Sequence, residues 1–360
     1  MTNTTATYID HLTDPNWLYD HLGSHVTAEW IRIKPDTSLI ASITDATTGI
    51  TVGWLRLLWP KSHIKATKLQ RIAHKAQMNV RTQQLSENII LQTGDVISDP
   101  KLFTHLRLLP EEVTTGTLLR YNPARRVIFR VGDQVWRVSR KSVPSPKVHE
   151  LMSAVVPMQA RVDDGSNPHV SVMEFVGDTD LARSPDVGAV ARVGGLLARL
   201  HGARSLVDGG CAVKRRDVRR QLKAHVRILS AVDPSLAAAA AGLDVPEYED
   251  SREVVVHGDF TPDQVLCDHR HEKVWLSDFD RVHLGPAASD LGSFVSALNP
   301  SHQDAFLCGY AQVAPLPSDA DIRCAQVHAQ LLRLMEPVRA GSPTWRDDIA
   351  ARIAQVGQVG

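Results

Sequence analysis

The chain has little cysteine, few aromatic residues and no excess of either charge. Its four cysteines, Cys211, Cys267, Cys308 and Cys324, are scattered and include no C-x-x-C pair. That pattern excludes a disulfide frame or a paired-cysteine zinc site and predicts reduced core thiols. Lysine plus arginine equals aspartate plus glutamate at 40 each, so net charge gives no pull toward nucleic acid or anionic lipid. No apolar run approaches about eighteen residues, and the opening MTNTTATYIDHLTDPNW has no basic-then-apolar leader pattern. These absences predict a cytoplasmic protein with neither a membrane nor a nucleic-acid partner. A hydrophobic fraction of 43% and a charged fraction of 22% are those of a globular chain. At 360 residues the chain suggests two or three packed units.

The densest information lies between Val254 and Asp290, VVVHGDFTPDQVLCDHRHEKVWLSDFDRVHLGPAASD. An apolar strand, Val254–Val256, delivers His257, Gly258 and Asp259 into a loop. A second, Lys273 to Leu276, delivers Asp278 nineteen residues after Asp259. Two carboxylates at the ends of two short neighbouring strands suit phosphoryl transfer. One orients and deprotonates an acceptor hydroxyl, and the other holds Mg²⁺ against the nucleotide phosphates. An ordinary hairpin with acidic turns also contains such residues. HGD together with an amide five residues later, the second Asp, Gly285 and Asp290-Leu291 argues against coincidence.

This order and spacing resemble the catalytic core of the aminoglycoside phosphotransferase and choline kinase-like family, a branch of the protein-kinase fold. The resemblance covers about residues 117–345. It implies an α+β, bilobal, protein-kinase-like fold with a small β-rich nucleotide lobe and a larger, mostly helical lobe. It implies Asp259 as catalytic base, His257 as a brace of the loop, and Asp278 with Gln264 as metal ligands. Most of the family has Asn where this chain has Gln264, whose carbonyl reaches one methylene further. A Gln here is similar to maltokinase-like sugar kinases.

Upstream, residues 117–131 and 134–140 alternate as strands around a Gly132-Asp133 turn. Arg137 stands where the family carries a phosphate-binding Lys; it keeps the charge and offers two donors. Glu150, on a helix beginning near Pro146, is its implied ion-pair partner, and a surface ion pair is the other reading. No glycine-rich loop is visible. The bend from Tyr121 to Arg126, with backbone donors and Arg125 or Arg126, either takes that role or is a solvated basic turn. Val170 to Leu181 resembles the lobe connector: a strand, a Gly turn and a short helix, with main-chain groups of Glu174, Phe175 and Val176 at the adenine edge. Val193–His201 has helical apolar spacing, with His201 in a structural role. The basic run Lys214–Arg220 is either a solvated helix face or an anionic-substrate site. Leu236–Gly242 is a helical or loosely packed linker, and Asp290 a structural support.

Residues 1–95 precede anything a minimal kinase lobe needs. They read as strands at Trp30–Ile43 and Ile50–Trp59, joined by a turn at Asp45–Gly49, with a helix at about Lys65–Met78. Arg32-Ile33-Lys34-Pro35 echoes Arg120-Tyr121-Asn122-Pro123 at an offset of 88. Either a β-β-α unit is duplicated or two amphipathic hairpins coincide. The expected organisation is an extra amino-terminal β-β-α cap (1–95), a nucleotide-side lobe (96–176) and a helical catalytic and acceptor-binding lobe (177–360). The expected activity is ATP- and Mg²⁺-dependent phosphorylation of a small-molecule hydroxyl, with a sugar or amino sugar favoured over an aminoglycoside-type antibiotic. A nucleotide-binding pseudokinase is the alternative, drawing on Arg137, Gln264 and the missing glycine loop. The sequence leaves the oligomeric state open.

Overall fold

The computed structural model describes residues 4–203, 217–250 and 252–359. The chain opens with helices α1 (Thr4–Leu12) and α2 (Pro15–Leu22). Asp14 caps α2 by accepting from the Asn16 N–H, Pro15 begins its first turn, and Gly23 in the left-handed region ends it. Strands β1 (Val26–Lys34), β2 (Ser38–Asp45) and β3 (Thr51–Leu58) follow as an antiparallel meander, then α3 (His63–Lys75). Strands β4 (Val80–Ser86) and β5 (Ile89–Gly94) complete a five-stranded sheet in the order β1-β2-β3-β5-β4.

Trp30–Ile43, expected as one strand, is two. Pro35 lacks an N–H for the ladder and Asp36 takes a φ of 49°, so the chain reverses there. The Asp45–Gly49 turn forms as expected, with Asp45 Oδ1 accepting from the Thr47 and Thr48 N–H groups. Residues 1–95 therefore hold five strands where two were expected. The edge strand β4 escaped notice because its middle four residues, Arg81–Gln84, are all exposed and carry no apolar alternation.

One-turn helices α4 (Phe103–Leu106) and α5 (Glu111–Thr114) lead to a second meander, β6 (Thr117–Asn122), β7 (Arg126–Val131) and β8 (Gln134–Ser139). Gly132, at φ 55°, makes the predicted two-residue turn. Helix α6 (Pro146–Ser153), strand β9 (Val170–Glu174) and the two-residue strand β10 (Thr179–Asp180) come next. A short helix was expected where β10 lies. Pairing of Thr179 and Asp180 with Cys267 and Leu266 sets the strand instead.

Helices α7 (Val187–Gly202), α8 (Val218–Val232) and α9 (Pro234–Ala241) precede the hairpin region. The alanine run expected as a helical or loose linker is α9, capped by Asp233. The Lys214–Arg216 part of the basic run, and Cys211, lie outside the described residues. Strands β11 (Val254–Val256), β12 (Val265–Asp268), β13 (Lys273–Leu276) and β14 (His283–Gly285) form two antiparallel groups, β11-β14 and β10-β12-β13. The remainder is helical: α10 (Ala288–Val295), α11 (Pro300–Ala311), α12 (Asp319–Leu332), α13 (Glu336–Arg339) and α14 (Trp345–Val359).

The described residues fall into two compact units. One gathers the chain up to Ser142 with Leu222–Leu243 and Leu334–Ala354; the other gathers Val143–Gln221, Asp244–Arg333 and the chain end. The second has a continuous apolar core running from Met152 through α7 to Phe260, Phe279, Phe294 and Phe306. Its α7–α11 seam is backbone on backbone: a Cβ on Gly194 would stand 2.1 Å from the Phe306 carbonyl oxygen, and one on Gly309 1.9 Å from that of Ala191. Only glycine permits that approach. Cys267 and Cys324 are buried as expected, whereas Cys308 is exposed on α11.

Candidate active site

The β12–β13 hairpin fixes the site's frame. Val265 pairs with Leu276, so Gln264 and Ser277 face each other at the open end. There the Ser277 N–H and hydroxyl both donate to the Gln264 carbonyl, at 2.9 and 3.0 Å. In the other strand pair Val256 opposes His283, which brings the His257–Asp259 loop against Asp278–Val282. Gly258 has a φ of 78°, and a Cβ there would meet the Arg281 carbonyl oxygen at 2.5 Å and the His283 ring at 2.8 Å. That glycine is required twice over, by its dihedral and by its neighbours.

His257 is fully buried. Its Nε2 donates to the Ser277 carbonyl at 2.8 Å, which ties the first loop to the residue before Asp278. Its Nδ1 is buried without a hydrogen-bond partner. Asp290, on the first turn of α10, accepts the His257 N–H at 2.6 Å and the Gly258 N–H at 2.9 Å. Behind it, His201 Nε2 donates to Asp290 Oδ2 at 3.3 Å while His201 Nδ1 accepts from the Tyr310 hydroxyl at 2.9 Å. Burial alone would raise the Asp290 carboxyl. The His201 hydrogen bond, the adjoining His201 and His257 imidazoles and the Gly258 N–H instead hold it below the usual carboxylate range. The Tyr310 hydroxyl is pushed up to about 12 by burial and by the neighbouring Asp290.

Asp259 and Asp278 are half-buried, and Asp278 adopts a φ of 59°, a left-handed conformation rare outside glycine. Asp259 Oδ2 stands 3.2 Å from Arg281 Nε. Arg281 is a site residue that the sequence reading missed; a cation three places past the second Asp was the available signal. Gln264 donates through Nε2 to Asp263 Oδ2 at 3.2 Å, leaving its Oε1 as the atom suited to a cation. Among the described residues no group of three His, Cys, Asp or Glu side chains converges in a metal cage. Two hard oxygen donors, Asp278 and Gln264, fit Mg²⁺, which is bound through one or two protein ligands and completed by substrate phosphates and water.

In the same unit, the connector is anchored by main-chain bonds. The Glu174 N–H donates to the Ala160 carbonyl at 2.8 Å, and the Glu174 carbonyl accepts from Gln159 Nε2 at 2.9 Å. Both backbone groups of Glu174 are thus engaged within the protein. Glu150 lines a cleft of about 460 Å³ with His149, Met158, Gln159 and Arg161. Burial and the Arg161 charge lower the His149 imidazole in that cleft.

The remaining predicted residues belong to the other unit. Arg137 on β8 is half-buried, and its Nε donates to Ser139 Oγ at 3.2 Å. At the β6–β7 bend, Ala124 takes a φ of 57° and its N–H donates to Asp99 Oδ2 at 2.7 Å. The Arg125 N–H donates to the Asn122 carbonyl at 3.0 Å. These two backbone donors point into the protein, so side chains such as that of Arg125 carry whatever binding this bend performs.

A comparison with known protein families matches residues 130–334, more than half of the chain, to the phosphotransferase enzyme family (APH). The chain belongs to this family. It is an enzyme, a small-molecule phosphotransferase of the kinase type, and the sequence resemblance and its kinase-like α+β fold class stand. No curated protein matches it in sequence. Solved structures similar to this family member include a choline/ethanolamine kinase family protein from Mesorhizobium loti (18% identity over 68% of this chain and 88% of that one, TM-score 0.46). Another is an aminoglycoside-3'-phosphotransferase of type VIII (18% identity, 64% and 99% covered, TM-score 0.49). A third is LicA in complex with AMP (13% identity, 72% and 96% covered, TM-score 0.48). The family assignment rests on the match over residues 130–334. Among the described residues no helix is long and apolar enough to cross a membrane.

Proposed function

We propose that this phosphotransferase transfers the γ-phosphoryl group of ATP to a hydroxyl of a sugar or amino sugar in the cytoplasm. The observation that carries the reading is the junction of the two loops: His257 to the Ser277 carbonyl, Ser277 to the Gln264 carbonyl, and Asp290 on both loop N–H groups. It holds Asp259, Gln264 and Asp278 at one end of the strand pairs. Asp259 accepts the acceptor's hydroxyl proton as that oxygen bonds to the γ-phosphorus and the bond to the β–γ bridging oxygen breaks. Arg281, beside Asp259, keeps the carboxylate oriented. Asp278 and Gln264 hold Mg²⁺, which when bound supplies charge neutralisation for the phosphates. Arg137 grips phosphate oxygens, Arg125 adds a cation at the bend, and Phe175 and Val176 offer main-chain groups to the base. Rate enhancement comes from positioning and preorganised charge.

The sugar preference draws on Gln264 and on the amino-terminal addition, both similar to maltokinase-like kinases. We assign residues 1–95 as the cap, 96–176 as the nucleotide-side lobe and 177–360 as the catalytic and acceptor-binding lobe. The test is phosphoryl transfer from ATP–Mg²⁺ to a panel of glucose, glucosamine, maltose, aminoglycosides and choline, with products read by mass. A phosphorylated sugar whose formation falls by about 10²–10⁴ in Asp259→Ala, with ATP affinity retained, is the expected result. Near-normal activity in Asp259→Ala overturns the assignment of the base. ATP binding without transfer to any acceptor favours the pseudokinase.

A further inference from the structure

The five-stranded sheet repeats a row of side chains found in the second meander. Arg32 on β1 opposes Ile40 on β2, which opposes Arg56 on β3. Arg120 on β6 opposes Ile128 on β7, which opposes Arg137 on β8. Directly opposed residues share a face of the sheet, so each meander carries an Arg–Ile–Arg row. Each row is entered through a register shift in the first strand, at Glu29/Arg32 and at Leu118/Arg120. In both cases a helix follows the third strand, α3 after β3 and α6 after β8. The likeness of Arg32–Pro35 to Arg120–Pro123 thus extends from letters to strand register. Arg56 occupies in the first meander the place that Arg137 occupies in the second. That parallel with a phosphate grip rests on the reading above; the charge arrangement that follows does not.

Arg56 is buried at 7% exposure, and the groups that hold it are neutral. Its Nε donates to Gln92 Oε1 at 2.9 Å and its Nη2 to the Lys65 carbonyl at 3.1 Å. Lys34 lies two residues beyond Arg32, on the same strand face. The β6–β7 bend draws further cations to this region. Arg32 Nη1 donates to the Pro123 carbonyl at 3.4 Å, and the Arg140 N–H donates to the Arg125 carbonyl at 2.8 Å.

Asp99 meets this group from the loop before α4. It is fully buried, and its two oxygens already accept from the Lys101, Leu102 and Ala124 N–H groups and the Tyr121 hydroxyl. This one saturated carboxylate is within electrostatic reach of Arg32 and Arg56. The cations feel one another: the Lys101 ammonium is lowered by burial and then by Arg140, Arg56, Lys65 and Lys34. Arg56, pulled down to about 10 by burial, remains charged at neutral pH.

We propose that these six cations form an anion site within the amino-terminal unit, for the oxyanion of a phosphate ester or polyphosphate. A buried guanidinium held by neutral acceptors, ringed by further cations, is stabilised when a phosphate group joins it. The phosphate has two sources: the nucleotide's own chain, or a separate phosphorylated small molecule acting on the enzyme.

The probe is inorganic phosphate, compared with chloride at equal ionic strength, on the full chain. Thermal unfolding is followed for wild type and for Lys101→Gln, Arg140→Gln and the double variant, all at exposed positions. Phosphate should raise the wild-type midpoint beyond chloride, and the double variant, folded by circular dichroism, should lose that rise. Phosphate affinity should fall about tenfold for each cation removed. A wild type that does not distinguish phosphate from chloride, or a double variant that keeps the full response, overturns the site. ATP affinity in the same variants separates the sources. A parallel loss assigns the nucleotide's phosphates, and an unchanged ATP affinity assigns a separate phosphorylated ligand. Asp259→Ala should keep the phosphate response, so this site and the transfer mechanism fail independently.

Discussion

The hairpin region of residues 254–290 and the sheet of residues 26–94 each bury a charge, and they hold it by different means. In the hairpin region the charge is Asp290, bonded to two loop N–H groups and to a histidine. In the sheet it is Arg56, bonded to a side-chain amide on β5 and a carbonyl of α3. Asp290 fixes a backbone shape, and the shape needs particular residues at fixed spacing: Gly258 at positive φ, His257 turned inward, Ser277 before Asp278. Arg56 is satisfied by Gln92, a residue that a strand can present almost anywhere along its length. Chemistry imposed on the backbone leaves a motif in the sequence. Burial satisfied between side chains leaves none.

Replacing each charge's support measures that contrast. The largest effect is expected for Asp290→Asn, which replaces one of the two accepting oxygens with an NH2 donor set against a donor; a loss of about 3 kcal/mol in urea unfolding is expected, with activity falling alongside. Because the folded Asp290 carboxyl is held low, its contribution is complete above the ordinary carboxylate value and is lost as the pH falls through the lower folded value. The stability gap between wild type and Asp290→Asn should therefore be flat from about pH 5 to 8 and close below about pH 4. A gap that persists unchanged into acid would mean that packing, not charge, sets the loss.

In the sheet, Gln92→Leu leaves Arg56 with the Lys65 carbonyl alone, and about 2 kcal/mol should be lost. A loss below about 0.5 kcal/mol would show that water or an anion replaces the amide and would erase the contrast. The smallest stability effect is expected at Arg281→Gln. The Arg281–Asp259 pair is about two-fifths exposed on both sides, and such pairs contribute under about 1 kcal/mol. Its kcat should fall while its unfolding midpoint stays near wild type.

How much was legible in the sequence follows the same division. Asp259, Asp278, Gln264 and His257 could be read from HGD, an amide and a second Asp at family spacing, and Asp290 could be read as support. The β6–β8 meander and α7 followed from the Gly132 turn and from apolar periodicity. Strand β10 did not, because two residues acquire strand geometry only from their partners Leu266 and Cys267. Neither did β4, whose residues Arg81–Gln84 are all exposed. Arg281 and Asp99 were missed for a related reason: each is defined by a neighbour brought near by the fold, 22 residues away for Asp99 and Arg281's partner Asp259 across two loops. The offset of 88 was visible as a faint echo of letters. Its register became clear only once strands were paired.

The Asp290 network also orders events in time. Its carboxylate joins residues 33 and 89 positions away, and His201 reaches Tyr310 across 109. Contacts so distant along the chain form late, after the loops between them have closed. During refolding, helical signal and core fluorescence should return before the ability to transfer phosphate, making catalysis the last property the chain acquires and the first it gives up.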